Sequence, residues 1–156
     1  LRRQRQMCIR DRRLIGLLQQ QDAGSAMLYT SDHGEDIFDD HRHLFLHASP
    51  VPSYYQLHVP FIVWTSDTYR EKYPEHMDAL QKNRHKSVAS NRVVFHSVLD
   101  LAGVTTTYVN NSLSVASPSY TEFPRFYLND HNEPRSYDDI GLRKEDFEMF
   151  GKMGIR

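Results

Sequence analysis

Apolar positions along the chain follow two periods. Leu14, Ile15, Leu17 and Leu18 fall at helical spacing and run into the polar Gln19-Gln20-Gln21, the end of an amphipathic helix. Gly24-Ser25 breaks it. Ala26-Met27-Leu28-Tyr29-Thr30 is then a short continuous apolar run, the pattern of a strand buried on both faces. Ser31 to His58 is polar, irregular and rich in histidine and carboxylate, and Val59 to Trp64 is the next buried run. Loops of that length inside compact domains are usually functional or disordered. Ser66 caps a short helix through Tyr73, and Pro74 opens another that runs to about Arg84. A helix over 91–102 has Ser90 as its cap and Gly103 as its stop. Thr105–Ser119 reads as a loop, Pro124–Leu128 as a late strand and Arg143–Phe150 as a terminal helix. Helix, short loop and buried strand make half of an α/β unit, so the predicted class is α/β with a mostly parallel sheet flanked by helices, in one domain.

Composition narrows the classes. The 156 residues hold 39% hydrophobic and 25% charged residues, which is ordinary for a globular protein. No apolar run approaches the ~18 residues of a membrane span. No Lys/Arg block marks a nucleic-acid arm, so no nucleic-acid partner is expected. A lone Cys rules out an intrachain disulfide. Residues 1–12, LRRQRQMCIRDR, carry five Arg, one Asp and that Cys, so the remainder is net acidic. The string MCIRDR resembles a translated sequencing adapter. The segment reads as a non-native basic leader, and residues 13–156 as the protein proper.

The chemistry gathers behind the first strand, at Thr30-Ser31-Asp32-His33-Gly34-Glu35. In open α/β sheets, ligands bind at the carboxyl ends of strands. A turn there, with Gly34 supplying freedom, brings the Asp32 carboxylate and the His33 imidazole to one point. That is half of a divalent-metal site, zinc above all, since catalytic zinc takes three protein ligands and an open position. The competing reading of the tetrapeptide is an ordinary capped turn.

The order Ser-Asp-His-Gly-Glu, then Phe45-Leu46-His47 with a Pro, then His58-Val59-Pro60-Phe61-Ile62-Val63-Trp64, resembles the sulfatase/alkaline-phosphatase superfamily. Within it, the likeness is to bacterial phosphoethanolamine transferases of the Bacteroides type. The resemblance covers about Leu14 to Phe150 and includes Phe95–Gly103. It implies that 13–156 is the C-terminal part of an alkaline-phosphatase-like catalytic domain. Asp32 and His33 then match zinc ligands, for one or two ions. His47 matches a catalytic histidine that meets the transferred phosphoryl group or a second zinc. No residue of this chain matches the family's nucleophilic Thr or its ligand Glu, and its membrane helices have no counterpart here. The implied reaction moves phosphoethanolamine from a phospholipid donor to lipid A or another glycan, through a covalent enzyme intermediate. It takes place on the periplasmic side of the bacterial inner membrane, and the 156 residues alone are expected to be inactive.

Glu35, Arg42 and His58 are further candidates. Glu35 would accept from a metal-bound histidine or be a solvated charge. Arg42 would pair with a phosphate oxygen. His58 would touch substrate or support the strand after it. Two other readings stay open. One is a hydrolase of sulfate or phosphate esters in the same superfamily. The other is a stand-alone metal-binding module with no enzymatic role.

Overall fold

A computed structural model describes residues 12–47, 50–128, 131 and 133–155. Of the basic leader, only Arg12 falls among them, and the described residues 12–19 are helical, α1. The elements that follow are β1 (Ala26–Thr30), β2 (Asp36–Ile37), β3 (Phe45–Leu46), α2 (Tyr54–Leu57), β4 (Phe61–Thr65), α3 (Asp67–Lys72), α4 (Pro74–Asn83) and α5 (Ser90–Leu101). A 3₁₀ turn at Asn111–Leu113, β5 (Phe126–Leu128), β6 (Pro134–Ser136) and α6 (Lys144–Lys152) complete the chain.

The class is mixed α/β, as the pattern predicts. In place of one parallel sheet, the described residues carry three two-stranded sheets, β1–β4, β2–β3 and β5–β6. The last two are antiparallel, with Ile37 opposite Phe45 and Tyr127 opposite Arg135. The residues group into two compact units. One holds the chain up to Tyr29, Ile62–Arg84 and Val94–Tyr120, and the other holds Thr30–Phe61, His85–Val93 and the chain from Thr121.

The first unit is organised by its caps and a small core. Ser66 accepts the Tyr69 N–H at 3.2 Å and the Ser25 N–H at 2.9 Å, so one hydroxyl caps α3 and ties it to the start of β1. Tyr69, Leu101 and Ala116 form the core, with Ala26, Leu28, Val63, Tyr73 and Leu80 packed against them. Burial without loss of hydrogen bonding requires the Tyr69 hydroxyl to find a partner. It donates to the Leu101 carbonyl at 2.7 Å, and burial, with Tyr73 and Asp100 adding, pushes its pKa up to about 12.

The stretch predicted as a polar loop, Thr105–Ser119, is only partly one. Ser114, Val115, Ala116 and Ser117 are all buried. Asn83 donates to the Val115 and Ser117 carbonyls at 3.0 and 2.9 Å, and the Val115 N–H donates to Ser97 Oγ at 3.0 Å. Buried backbone groups must be paired, and here polar side chains from two helices pair them.

The second unit contains the motif behind β1. Its anchor is Asp146 in the first turn of α6, which is fully buried. Asp146 accepts from Arg42 Nη1 and Nη2 at 2.8 Å each, from the Tyr54 N–H at 2.8 Å and from the Arg143 N–H at 3.0 Å. Phe150, one turn further along α6, meets the Tyr54 ring edge-on at 4.9 Å. Hence α6 and α2 are fastened by one charged knot and one aromatic contact.

Candidate metal centre

The motif is seated on α2 by two buried devices. Asp36, at the start of β2, accepts from Ser53 Oγ at 2.6 Å and from Gln56 Nε2. Ser53 in turn caps α2, accepting the Gln56 N–H at 3.3 Å. The second device is Gly34, whose N–H donates to the Gln56 carbonyl at 2.8 Å. A Cβ at this position would stand 1.9 Å from the Tyr55 carbonyl oxygen. The glycine is therefore required for space. It is not among the residues with positive φ, so the turning freedom expected of it is not what the fold uses.

Gly34→Ala is expected to push the motif off α2. Overpacking of this kind costs about 1–3 kcal/mol. Melting temperature and metal content of the purified full-length protein, as its gene encodes it, should fall together. Unchanged values for both would show that α2 does not seat the motif.

Three side chains converge above this seat. His33, Glu35 and His47 each offer a ligand atom, and these atoms all lie within 4.8 Å of one another. His47 Nδ1 is 2.7 Å from Glu35 Oε1, and His33 Nδ1 is 4.0 Å from the same oxygen. The two imidazole rings lie 3.9 Å apart at 38°. Leu46, just before His47, has a left-handed φ of 66°, as do Phe38 at 64° and His43 at 51° in the same hairpin. Such residues cost about 1–3 kcal/mol each unless the surroundings enforce them, and here they cluster around the β2–β3 turn that delivers His47.

Asp32 stands beside this group with an exposed side chain. Its Oδ2 is 3.7 Å from His33 Nε2. Its Oδ1 accepts the His33 backbone N–H at 3.1 Å. That bond first, and its own N–H next, hold the Asp32 carboxyl below its ordinary value. The anionic form, which a metal needs, is thus favoured by the backbone.

The donor set suits a divalent ion. Two imidazoles and two carboxylates are borderline-soft and hard donors of the kind zinc takes. Two donors on one tetrahedral zinc lie roughly 3.3–3.6 Å apart, close to the separation of Asp32 Oδ2 and His33 Nε2. Glu35 Oε2 adds an independent sign, since it is buried with no hydrogen-bond partner among the described residues. A buried carboxylate oxygen left bare is costly, and a nearby cation would offset that cost.

The other candidates lie elsewhere. Every nitrogen of the Arg42 guanidinium donates to a carboxylate, Nε and Nη2 to Asp40 and Nη1 and Nη2 to Asp146. Its side chain is 5% exposed, so the structure places it in the α6 knot. His58 follows α2, with Nδ1 2.6 Å from the Tyr54 hydroxyl. Burial, with Arg125 adding, holds its imidazole below the ordinary range. Thr30, the threonine next to the motif, donates from its hydroxyl to the Ser31 carbonyl at 3.3 Å. Of the polar run after the late strand, Asn129, Asp130 and Asn132 lie outside the described residues.

Comparison with known proteins follows the same outline. The sulfatase family model matches residues 12–104. Phosphoethanolamine transferase EptA of Salmonella typhimurium is 31% identical over 96 residues, which are 60% of this chain and 17% of that protein. Phosphoethanolamine transferase CptA of the same organism is 29% identical over 113 residues, 72% of this chain and 19% of that one. The C-terminal periplasmic domain of EcEptC from Escherichia coli superposes with a TM-score of 0.55 at 24% identity. Its complex with Zn superposes at 0.54 and 25%, each match covering 78% of this chain and 33% of the other. The chain thus spans about a fifth of the length of these curated relatives.

Proposed function

The chain belongs to the sulfatase family, and from that premise we propose that it forms part of a metal-dependent phosphoethanolamine transferase. The observation that carries the reading is the convergence of His33, Glu35 and His47 behind the first strand, in a chain whose curated relatives bear that activity in their names. In this reading the domain is an alkaline-phosphatase-like one with a mostly parallel sheet, facing the periplasm from the bacterial inner membrane. The donor is a phospholipid and the acceptor lipid A or another glycan.

Asp32 and His33 would hold zinc, one ion or two, and the likeness to a solved domain in complex with Zn supports that choice. Bound there, zinc would polarise the phosphoryl oxygens and lower the pKa of the attacking group. His47 would contact the transferred group. Glu35 balances charge and supports His47. Arg42 and His58 act through α2, Arg42 by fixing Tyr54 through Asp146 and His58 by its bond to the Tyr54 hydroxyl. No threonine of this chain is assigned as the nucleophile.

The test uses the full-length protein with phosphatidylethanolamine and a lipid A acceptor. Transfer predicts diacylglycerol release matched by modified acceptor. Free phosphoethanolamine formed without any acceptor would show the hydrolase instead. In the same assay His47→Ala should lower turnover by a factor of about 100 or more and leave the melting temperature within about 2 °C. A melting temperature that drops by many degrees while specific activity holds would make His47 structural.

A further inference from the structure

We propose that Glu35 is a positioning residue that locks His47 in the tautomer with its proton on Nδ1, so that Nε2 is the atom presented to the transferred group. The inference rests on the transferase reading for what Nε2 meets, and on geometry alone for the tautomer.

A neutral imidazole carries one N–H and one lone pair, and its surroundings decide which nitrogen holds which. Glu35 Oε1 is 2.7 Å from His47 Nδ1. An ionised carboxylate only accepts, so Nδ1 donates, and in the neutral ring Nε2 then holds the lone pair. The neighbouring ring is set the same way by a different acceptor. His33 Nδ1 lies 2.9 Å from the Gly34 carbonyl, which also only accepts. Both rings therefore share one tautomer while lying 3.9 Å apart, and both turn Nε2 outward from their fixed side.

The two locks differ in strength. The His33 lock is a backbone carbonyl one residue away, held by the wedge of Gly34 against Tyr55. The His47 lock reaches across 12 positions from one strand region to another. His47 follows directly on Leu46, which pairs with Asp36 at the end of β3 and has a left-handed φ. In water the Nε2–H tautomer of histidine predominates. Without Glu35, His47 would revert to it and turn a proton toward the position where the mechanism wants a lone pair. Histidines at metal and catalytic centres commonly depend on such partners, and losing one costs about 10–100-fold.

The experiment labels the histidines of the full-length protein with ¹⁵N and reads the ring-nitrogen shifts, with His47 assigned by its loss in His47→Ala. Wild type is expected to show a protonated Nδ1 and a bare Nε2 on His47. Glu35→Ala should reverse that pattern. Glu35→Gln keeps an amide oxygen as acceptor and should retain it. Turnover should follow the tautomer, falling about 10–100-fold in Glu35→Ala with KM within about twofold, and recovering most of the loss in Glu35→Gln. Melting temperature should stay at the wild-type value in both, and zinc content should fall by much less than turnover does. An unchanged His47 tautomer in Glu35→Ala overturns the proposal. So does a parallel loss of zinc, which would make Glu35 a ligand. So does a drop in melting temperature with specific activity intact. If wild type shows the expected tautomer but no transfer from phosphatidylethanolamine, the transferase reading fails while the positioning role stands.

Discussion

Asp32→Ala, or His33→Ala, should strip the full-length protein of most of its zinc and of nearly all its transfer activity. A catalytic zinc site has about three protein ligands, and removing one leaves neither the affinity nor the geometry. The two changes should not disturb folding to the same degree. The Asp32 side chain is exposed and, among the described residues, meets its own loop, through the His33 N–H and ring and the Ser31 hydroxyl. Asp32→Ala should therefore leave the metal-free melting temperature within about 2 °C. His33 packs at a tilt against His47 and bonds to Gly34, so His33→Ala should loosen the cluster as well. Elemental analysis beside an activity assay decides the matter. Full zinc occupancy with normal turnover in Asp32→Ala would remove that residue from the site.

The second large effect lies away from the cluster. Asp146→Ala removes the acceptor of four donors at once, two from Arg42 and one each from the Tyr54 and Arg143 backbones. Breaking a buried ion pair by deleting one partner costs about 3–5 kcal/mol, because the other charge is left in a poor solvent. For a chain of this size that lowers the melting temperature by on the order of 10 °C. Asp40 still pairs with Arg42, which places the loss toward the lower end of that range.

The same carboxylate sets an acid limit. Burial pushes the Asp146 pKa up, but the Arg42 hydrogen bonds and the two backbone N–H groups outweigh it, and the net shift is down. Arg42 lowers Asp40 as well. A carboxyl depressed in the folded state contributes stability that is complete above its unfolded value, about 3.9, and is lost as pH falls through the folded value. Wild type should therefore lose stability steeply below about pH 4, and Asp146→Ala should show a shallower acid slope. Equal slopes in a pH series of thermal melts would contradict the assignment.

Local signals in the chain account for much of what the structure contains. Ser66 caps α3, Pro74 opens α4, and Gly103, with φ at 68°, ends α5. Each acts through neighbours a few residues away, so near-sequence patterning is enough to read it. The apolar runs at β1 and β4 are legible for the same reason. At the candidate site, Asp32, His33, Glu35 and His47 are marked out by residue type and by the position of the motif directly after an apolar strand.

Other features come from contacts that no local pattern encodes. Arg42 has the sequence context of a phosphate ligand, yet it meets a carboxylate 104 positions away. The turn of α2, inside a stretch that reads as irregular, exists because Ser53, Gln56 and Tyr54 bond to Asp36 and Asp146. Ser114 to Ser117 look like loop and become core because Asn83 and Ser97 satisfy their backbone. Gly34 looks like a flexible hinge and serves as a gap for the Tyr55 carbonyl. In each case a polar group bears no mark of its partner until the chain has closed, since burial and pairing are properties of the fold. Residue types name the chemistry of this site, and long-range closure decides which of them share it.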